Sequence, residues 1–231
     1  MSVAENITNV KFQIEEAKKR SPYGQEVTLI AVSKTHPAEL VMQAYDAGIR
    51  DFGENKVQEL TAKYEDLPKD IRWHLIGHLQ TNKVKQVVGK AYMIHSVDSL
   101  HLAEKIDADA KATEIKVKIV IEVNVAEEDS KFGITCAQAP DFAKQLAGLE
   151  NLEVCGLMTV APYTENAEEN RRFFSALRKL SIDINEMNID NINMKFLSMG
   201  MSGDYPVAIE EGSNLVRIGT SIFGEREYLF S

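Results

Sequence analysis

Short apolar runs alternate with segments of helical period eight times along this 231-residue chain, and that alternation limits the possible folds more than any other feature. Residues 1–20 come first, with Val3, Ile7, Val10, Ile14 and Ala17 at helical spacing before Ser21-Pro22, and are read as a helix (1–22 with its end) packed outside the domain. Val27–Val32 is a strand, followed by a helix over Pro37–Gly48; Asp51–Phe52 is a strand, with a helix carrying Val57, Leu60 and Ala62. Arg72–Ile76, Tyr92–His95 and Lys116–Asn124 are the next strands, each with a helical segment behind it (Thr81–Val88, Ser96–Ala110, Ala137–Leu146). Leu152–Thr159 precedes a long helix over Glu165–Leu180, Phe196–Ser198 a short one over Gly203–Glu211, and Leu215–Ile218 closes the series.

Repeated strand–helix units favour a parallel sheet, and eight of them favour closure into a single-domain (β/α)8 barrel of the TIM type, here with an additional N-terminal helix. An open doubly wound sheet is the alternative. It carries a glycine-rich fingerprint after its first strand, where this chain has Ser33-Lys34-Thr35. No linker or change of composition divides residues 1–231, so one domain is expected.

A formal net charge of −9 gives the whole molecule no basic footprint for nucleic acid, although a local pocket for one phosphate is compatible with it. Cys136 and Cys155 form neither a disulfide framework nor a metal-ligand spacing. Neither a leader nor a run of 18 apolar residues is seen, so the expectation is a cytoplasmic protein with no membrane partner.

In barrels of this kind the active site lies at the C-terminal ends of the strands. Those ends hold Lys34, Asn55, His78, Ser96, Asn124, Met158-Thr159, Ser198 to Ser202 and Arg217 to Thr220. Lys34 follows a strand buried on both faces and shares the direction of Ile30 and Val32. It is either a lysine reaching solvent at the rim or a partly desolvated amine suited to Schiff-base chemistry. Ser198-Met199-Gly200-Met201-Ser202-Gly203 leads into a helix, and Gly219-Thr220-Ser221 follows the last strand. Loops in these two places commonly hold a phosphate, while a plain glycine turn with a serine cap accounts for the residues equally well. Asp204 opposes an anion there unless its carboxylate turns away. Arg217, set among Leu215, Val216 and Ile218, is a charge that must find acceptors, at the surface or on a ligand. His74 reads as a hydrogen-bonded core residue, and His36, His95 and His101 show no clustering.

These features have a known look. The strings LIAVSKTHP, DFGENKVQE, WHLIGHLQTNK, SVDS, IEVNV with SKFG, GLMTVAP, LSMGMSGDY and SNLVRIGTSIFGER run in order from residue 29 to 226. Together they resemble the pyridoxal phosphate homeostasis protein family, built on the barrel of fold-type III pyridoxal 5′-phosphate (PLP) proteins such as alanine racemase. The resemblance implies PLP as cofactor, held as a covalent aldimine on Lys34. It implies that Ser202, Gly203, Gly219 and Thr220 hold the phosphate, Arg217 faces the pyridine nitrogen, and Asn55 lines the ring. Met199 and Met201 would sit against the cofactor or the phosphate turn; His78 and Ser198 receive no role. Fold-type III enzymes carry a second, all-β domain; with five residues after Arg226, the expectation is that this domain is absent. The implied function is storage, buffering or delivery of PLP by a monomer, with PLP-dependent apoenzymes as recipients and no committed amino-acid turnover. A PLP-dependent racemase and a cofactor-free Schiff-base aldolase are the competing functions.

Overall fold

The structure is a computed structural model that describes residues 1–224. The Glu225-Arg226 end of the last string quoted above therefore lies outside the described residues. Eight parallel strands close into a barrel in chain order: β1 (Thr28–Val32), β2 (Asp51–Glu54), β3 (Arg72–Leu75), β4 (Met93–Val97), β5 (Val117–Glu122), β6 (Leu152–Met158), β7 (Ile192–Ser198) and β8 (Leu215–Ile218). Pairing of Ile30 with Arg217 across β1 and β8 belongs to the seam that closes it.

The helices surround that barrel: α1 (Val3–Arg20), α2 (Ala38–Asp46), α3 (Val57–Asp66), α4 (Val84–Val87), α5 (Leu100–Ala112), α6 (Ala139–Leu146), α7 (Arg171–Glu186), α8 (Tyr205–Glu210) and α9 (Thr220–Phe223). None is long and apolar enough to cross a membrane among the described residues. Ser2 and Glu5 start α1 with reciprocal capping bonds, and Val3, Ile7, Val10, Ile14 and Ala17 bury its one apolar stripe. That stripe meets α8, α9 and α2, as its spacing implies, and the Asn6 amide donates to the Ile222 carbonyl at 2.9 Å. Each fully buried Val or Ile there contributes about 1.5–3 kcal/mol, so α1 holds down the seam beside the last strand.

Strand alternation sorts the side chains into two sets. Leu29, Ala31, Phe52 and Val216 face the helices in the main core. Ile30, Met93, Val120, Cys155, Met158 and Leu215 form a separate, smaller cluster, the apolar half of the barrel's interior. Several elements differ in extent from the sequence reading. β7 begins at Ile192, four residues early, because exposed Asn193 and Lys195 alternate with Ile192 and Met194 and interrupt the apolar signal. Helix α7 continues to Glu186, and α8 starts only at Tyr205, so Ser202 and Gly203 lie in the turn before it.

Candidate functional site

The β1–α2 turn sets Lys34 at the mouth. β1 ends at Val32, so Lys34 lies two residues beyond the strand and is half-buried. Helix α3 grips the turn on either side of it. Lys63 Nζ donates to the Ser33 carbonyl at 2.8 Å, and Glu59 accepts the Thr35 N–H at 2.7 Å. Thr35 has φ of 68°, a left-handed conformation uncommon for a β-branched residue, and these two bonds help to hold it. Beneath the turn, Glu54 is fully buried and accepts from Lys63 at 2.6 Å and from the Ser33 hydroxyl at 2.7 Å. Burial raises the Glu54 carboxyl, and Lys63 and Ser33 offset that only in part.

Arg217 projects inward from β8 and is buried, with 4% exposure. Its guanidinium donates to Ser198 Oγ at 2.6 Å and to the Thr159 carbonyl at 2.8 Å. Burial pushes it down to about 10, against Glu122 and Asp204, so it stays charged at neutral pH. These partners take two of the five N–H donors of a planar group, leaving donors for a ligand.

The two turns expected to hold an anion are neighbours. The Ser202 hydroxyl accepts from the Ser221 N–H at 3.4 Å, joining the β7–α8 and β8–α9 turns. A Cβ placed on Gly203 would meet nothing within 4 Å, so the turn borders open space. Gly200 has φ of +93°, and a Cβ there would strike Ala208 and Tyr205, which fixes glycine below the turn. The Asp204 carboxylate is already engaged within the protein: one oxygen accepts the Met201 N–H at 2.7 Å, the other the Asn170 amide at 2.9 Å.

These pieces line one cavity of about 670 Å³ at the barrel mouth. Lys34, Asn55, Ser202, Gly203, Arg217, Gly219 and Thr220 all border it, together with Met201. Met199 does not. It is fully buried in the core between barrel and helices, because it follows inward-facing Ser198 and alternation turns it outward. Its carbonyl accepts from the Ser213 hydroxyl at 2.6 Å, a structural contact below the turn. His78 is exposed at the rim and stacks on Phe132, with ring centroids 4.1 Å apart.

The separation of the histidines in sequence is misleading. His95 is not isolated: its Nε2 lies 2.9 Å from His74 Nδ1, and its Nδ1 lies 2.9 Å from Ser198 Oγ. The parallel register of β3 and β4 brings the two rings together. His74 is the bonded core residue expected, with Asp51 Oδ1 3.1 Å from its Nε2. Among the described residues no group of three or more metal-ligating side chains occurs. Glu122, Glu54 and Lys63 were not singled out in the sequence, although a carboxylate inside an apolar strand is a usable signal of a buried partner.

The donor set has three chemically distinct parts: an amine, a buried guanidinium, and two adjoining turns of small hydroxyl and glycine residues. Known proteins share the frame that holds them. Residues 6–227 match the family described as alanine racemase, N-terminal domain. The pyridoxal phosphate homeostasis protein of Aquifex aeolicus is 42% identical over 230 residues, covering 99% of this chain and 100% of that one. Its counterpart in Escherichia coli strain K12 is 36% identical over 234 residues, covering 98% of this chain and 97% of its own length. PipY of Synechococcus elongatus PCC7942, solved with PLP bound, superposes with a TM-score of 0.84 at 36% identity, over 96% of this chain and 100% of that one. Alanine racemase of Corynebacterium glutamicum, at 14% identity and a TM-score of 0.71, covers 97% of this chain and 61% of its own, and shares the fold. The chain belongs to the alanine racemase N-terminal domain family and, within it, to the pyridoxal phosphate homeostasis proteins.

Proposed function

We propose that this protein binds PLP at the barrel mouth and serves PLP homeostasis in the cytoplasm, as a monomeric store, buffer or donor without a committed amino-acid substrate. One observation carries the reading: Lys34, Arg217 and the Ser202–Gly203 and Gly219–Thr220 turns border a single cavity. PLP presents an aldehyde, a ring nitrogen and a phosphate, and the three parts of the donor set answer these in kind. When bound, it supplies an electrophilic aldehyde carbon and an electron-accepting ring. Relatives named for PLP homeostasis, and a similar protein solved with PLP, support the same choice.

Each residue then has a defined task. Lys34 Nζ attaches covalently to the aldehyde carbon as a Schiff base, with release of one water. Arg217 can donate but not accept, so it bonds the ring nitrogen while keeping a proton off it. An unprotonated ring is a weak electron sink, which disfavours carbanion chemistry. Ser202 and Thr220 donate hydroxyls to the phosphate, the Gly203 and Gly219 turns give it room, and Asn55 borders the ring. PLP-dependent apoenzymes are the recipients.

Amino-acid turnover separates this function from a racemase. The PLP-loaded protein is incubated with L-alanine and other amino acids in deuterated water, and α-proton exchange and chirality are followed. Binding of PLP with negligible exchange is expected. Turnover near a typical enzyme rate of about 10 s⁻¹ defeats the carrier reading and restores the enzyme one.

A further inference from the structure

The interior of a (β/α)8 barrel is ordinarily filled by layers of branched apolar side chains. Half of this one is polar. From the mouth inward, Arg217 Nη1 lies 2.6 Å from Ser198 Oγ, Ser198 Oγ lies 2.9 Å from His95 Nδ1, and His95 Nε2 lies 2.9 Å from His74 Nδ1. His74 Nε2 lies 3.1 Å from Asp51 Oδ1, and Arg72 closes the far end with bonds to both Asp51 oxygens at 2.7 and 2.5 Å. Ser198, His95, His74, Asp51 and Arg217 are all buried, and the links come from five different strands.

The two ends of this chain leave its direction no choice. Asp51, held ionised by Arg72 and His74 against the effect of burial, can only accept, so His74 Nε2 must carry a proton and donate. Burial holds both imidazoles below their ordinary range, and a neutral ring has one donor and one acceptor. His74 Nδ1 therefore accepts from His95 Nε2–H, and His95 Nδ1 accepts from the Ser198 hydroxyl. At the other end Arg217 can only donate, so Ser198 receives its N–H while giving its own proton away. Every link has one donor and one acceptor.

We propose that Asp51, His74, His95 and Ser198 form a one-way hydrogen-bond chain that makes Ser198 a fixed acceptor and so positions Arg217 as a donor toward the mouth. None of the four borders the cavity, so they are positioning residues that act through Arg217. The chain is anchored at the opposite pole of the barrel, where Asp51 and Arg72 begin β2 and β3. Its consequence for the cofactor rests on the PLP reading, whereas the proton arrangement does not.

The experiment has two arms. Nitrogen-15 NMR of the protein without PLP is expected to show His74 and His95 as neutral rings protonated at Nε2 near pH 7.5, a pH at which ordinary histidines are also neutral but divide between tautomers (imidazole about 6.5). An imidazolium, or a proton on Nδ1 of either ring, overturns the chain even if no variant folds. PLP is then titrated into wild type, Ser198→Ala, Ser198→Thr and His95→Asn, with circular dichroism confirming the fold. Ser198→Ala and His95→Asn should weaken PLP binding about tenfold and shift the absorbance of the bound cofactor, while Ser198→Thr, which keeps the hydroxyl, should restore both. Unchanged affinity and spectrum in Ser198→Ala and His95→Asn overturn the positioning role. Failure of the wild type to bind PLP instead defeats the proposed function and leaves the tautomer result standing.

Discussion

Lys63 reaches from α3 to place its ammonium 2.6 Å from Glu54 Oε1, joining a helix to the strand beside Lys34 through a buried ion pair. The same ammonium bonds the Ser33 carbonyl, one residue before Lys34. The pair thus ties the outer layer of the barrel to the turn that sets Lys34 at the cavity.

Removing one member should be costly. Lys63→Met leaves the Glu54 carboxylate buried without its cation, a loss of about 3–5 kcal/mol for such pairs. Without Lys63 the Glu54 carboxyl rises further, so the loss should grow as the pH climbs from the ordinary glutamate range through that raised value and level off above it. Adding Glu54→Gln should recover much of it, since the amide carries no charge and still accepts from Ser33. Urea denaturation at pH 6 and pH 8 measures both effects; a Lys63→Met variant within 1 kcal/mol of wild type at pH 8 contradicts the account.

The two turns proposed to hold the phosphate should matter to the ligand and not to the fold. Ser202 makes one long bond, to the Ser221 N–H, and Thr220 is exposed, so neither supports the core. A hydrogen bond to a charged group contributes about 1.5–3 kcal/mol, so Ser202→Ala and Thr220→Ala should each weaken PLP about ten- to a hundredfold. Fluorescence titration reads the affinity, and unchanged values in both variants remove the phosphate assignment.

Glu122 supplies a pH signature. It ends β5 with 9% exposure, and burial, reinforced by Asp98 and opposed by Arg217, pushes its carboxyl up to about 7. In the unfolded chain it titrates near the ordinary glutamate value of about 4.3. Between those values the folded protein keeps a proton that the unfolded chain has released. Stability therefore falls as the pH rises through that window and stays reduced above it. Glu122→Gln should stabilise the protein above pH 7, by on the order of 2–3 kcal/mol, and much less at pH 5. Equal changes at both pH values contradict this origin.

The sequence makes the barrel and most of its mouth legible because both are written locally. An apolar strand marks Lys34, apolar neighbours mark Arg217 as buried, and glycine and serine mark the turns. The interior chain is written one residue per strand. His74 and His95 lie 21 positions apart and meet only through the register of β3 and β4, which local patterns do not contain. Met199 fails for a related reason. It neighbours the proposed phosphate turn in sequence, yet inward Ser198 fixes the parity that sends it to the other face of the wall. Asp204 required coordinates as well, since only its bonds to Met201 and Asn170 reveal that its carboxylate is already engaged.

Covalent attachment at Lys34 is the central claim and can be read from a single peptide map. The protein is loaded with PLP, reduced with borohydride to fix the carbon–nitrogen bond, digested and sequenced by mass spectrometry. The pyridoxyl group is expected on the peptide containing Ser33-Lys34-Thr35, with loss of the visible absorbance on reduction and no labelling of Lys34→Ala at that position. A main site on any other lysine, such as Lys131 at the same cavity, contradicts the account.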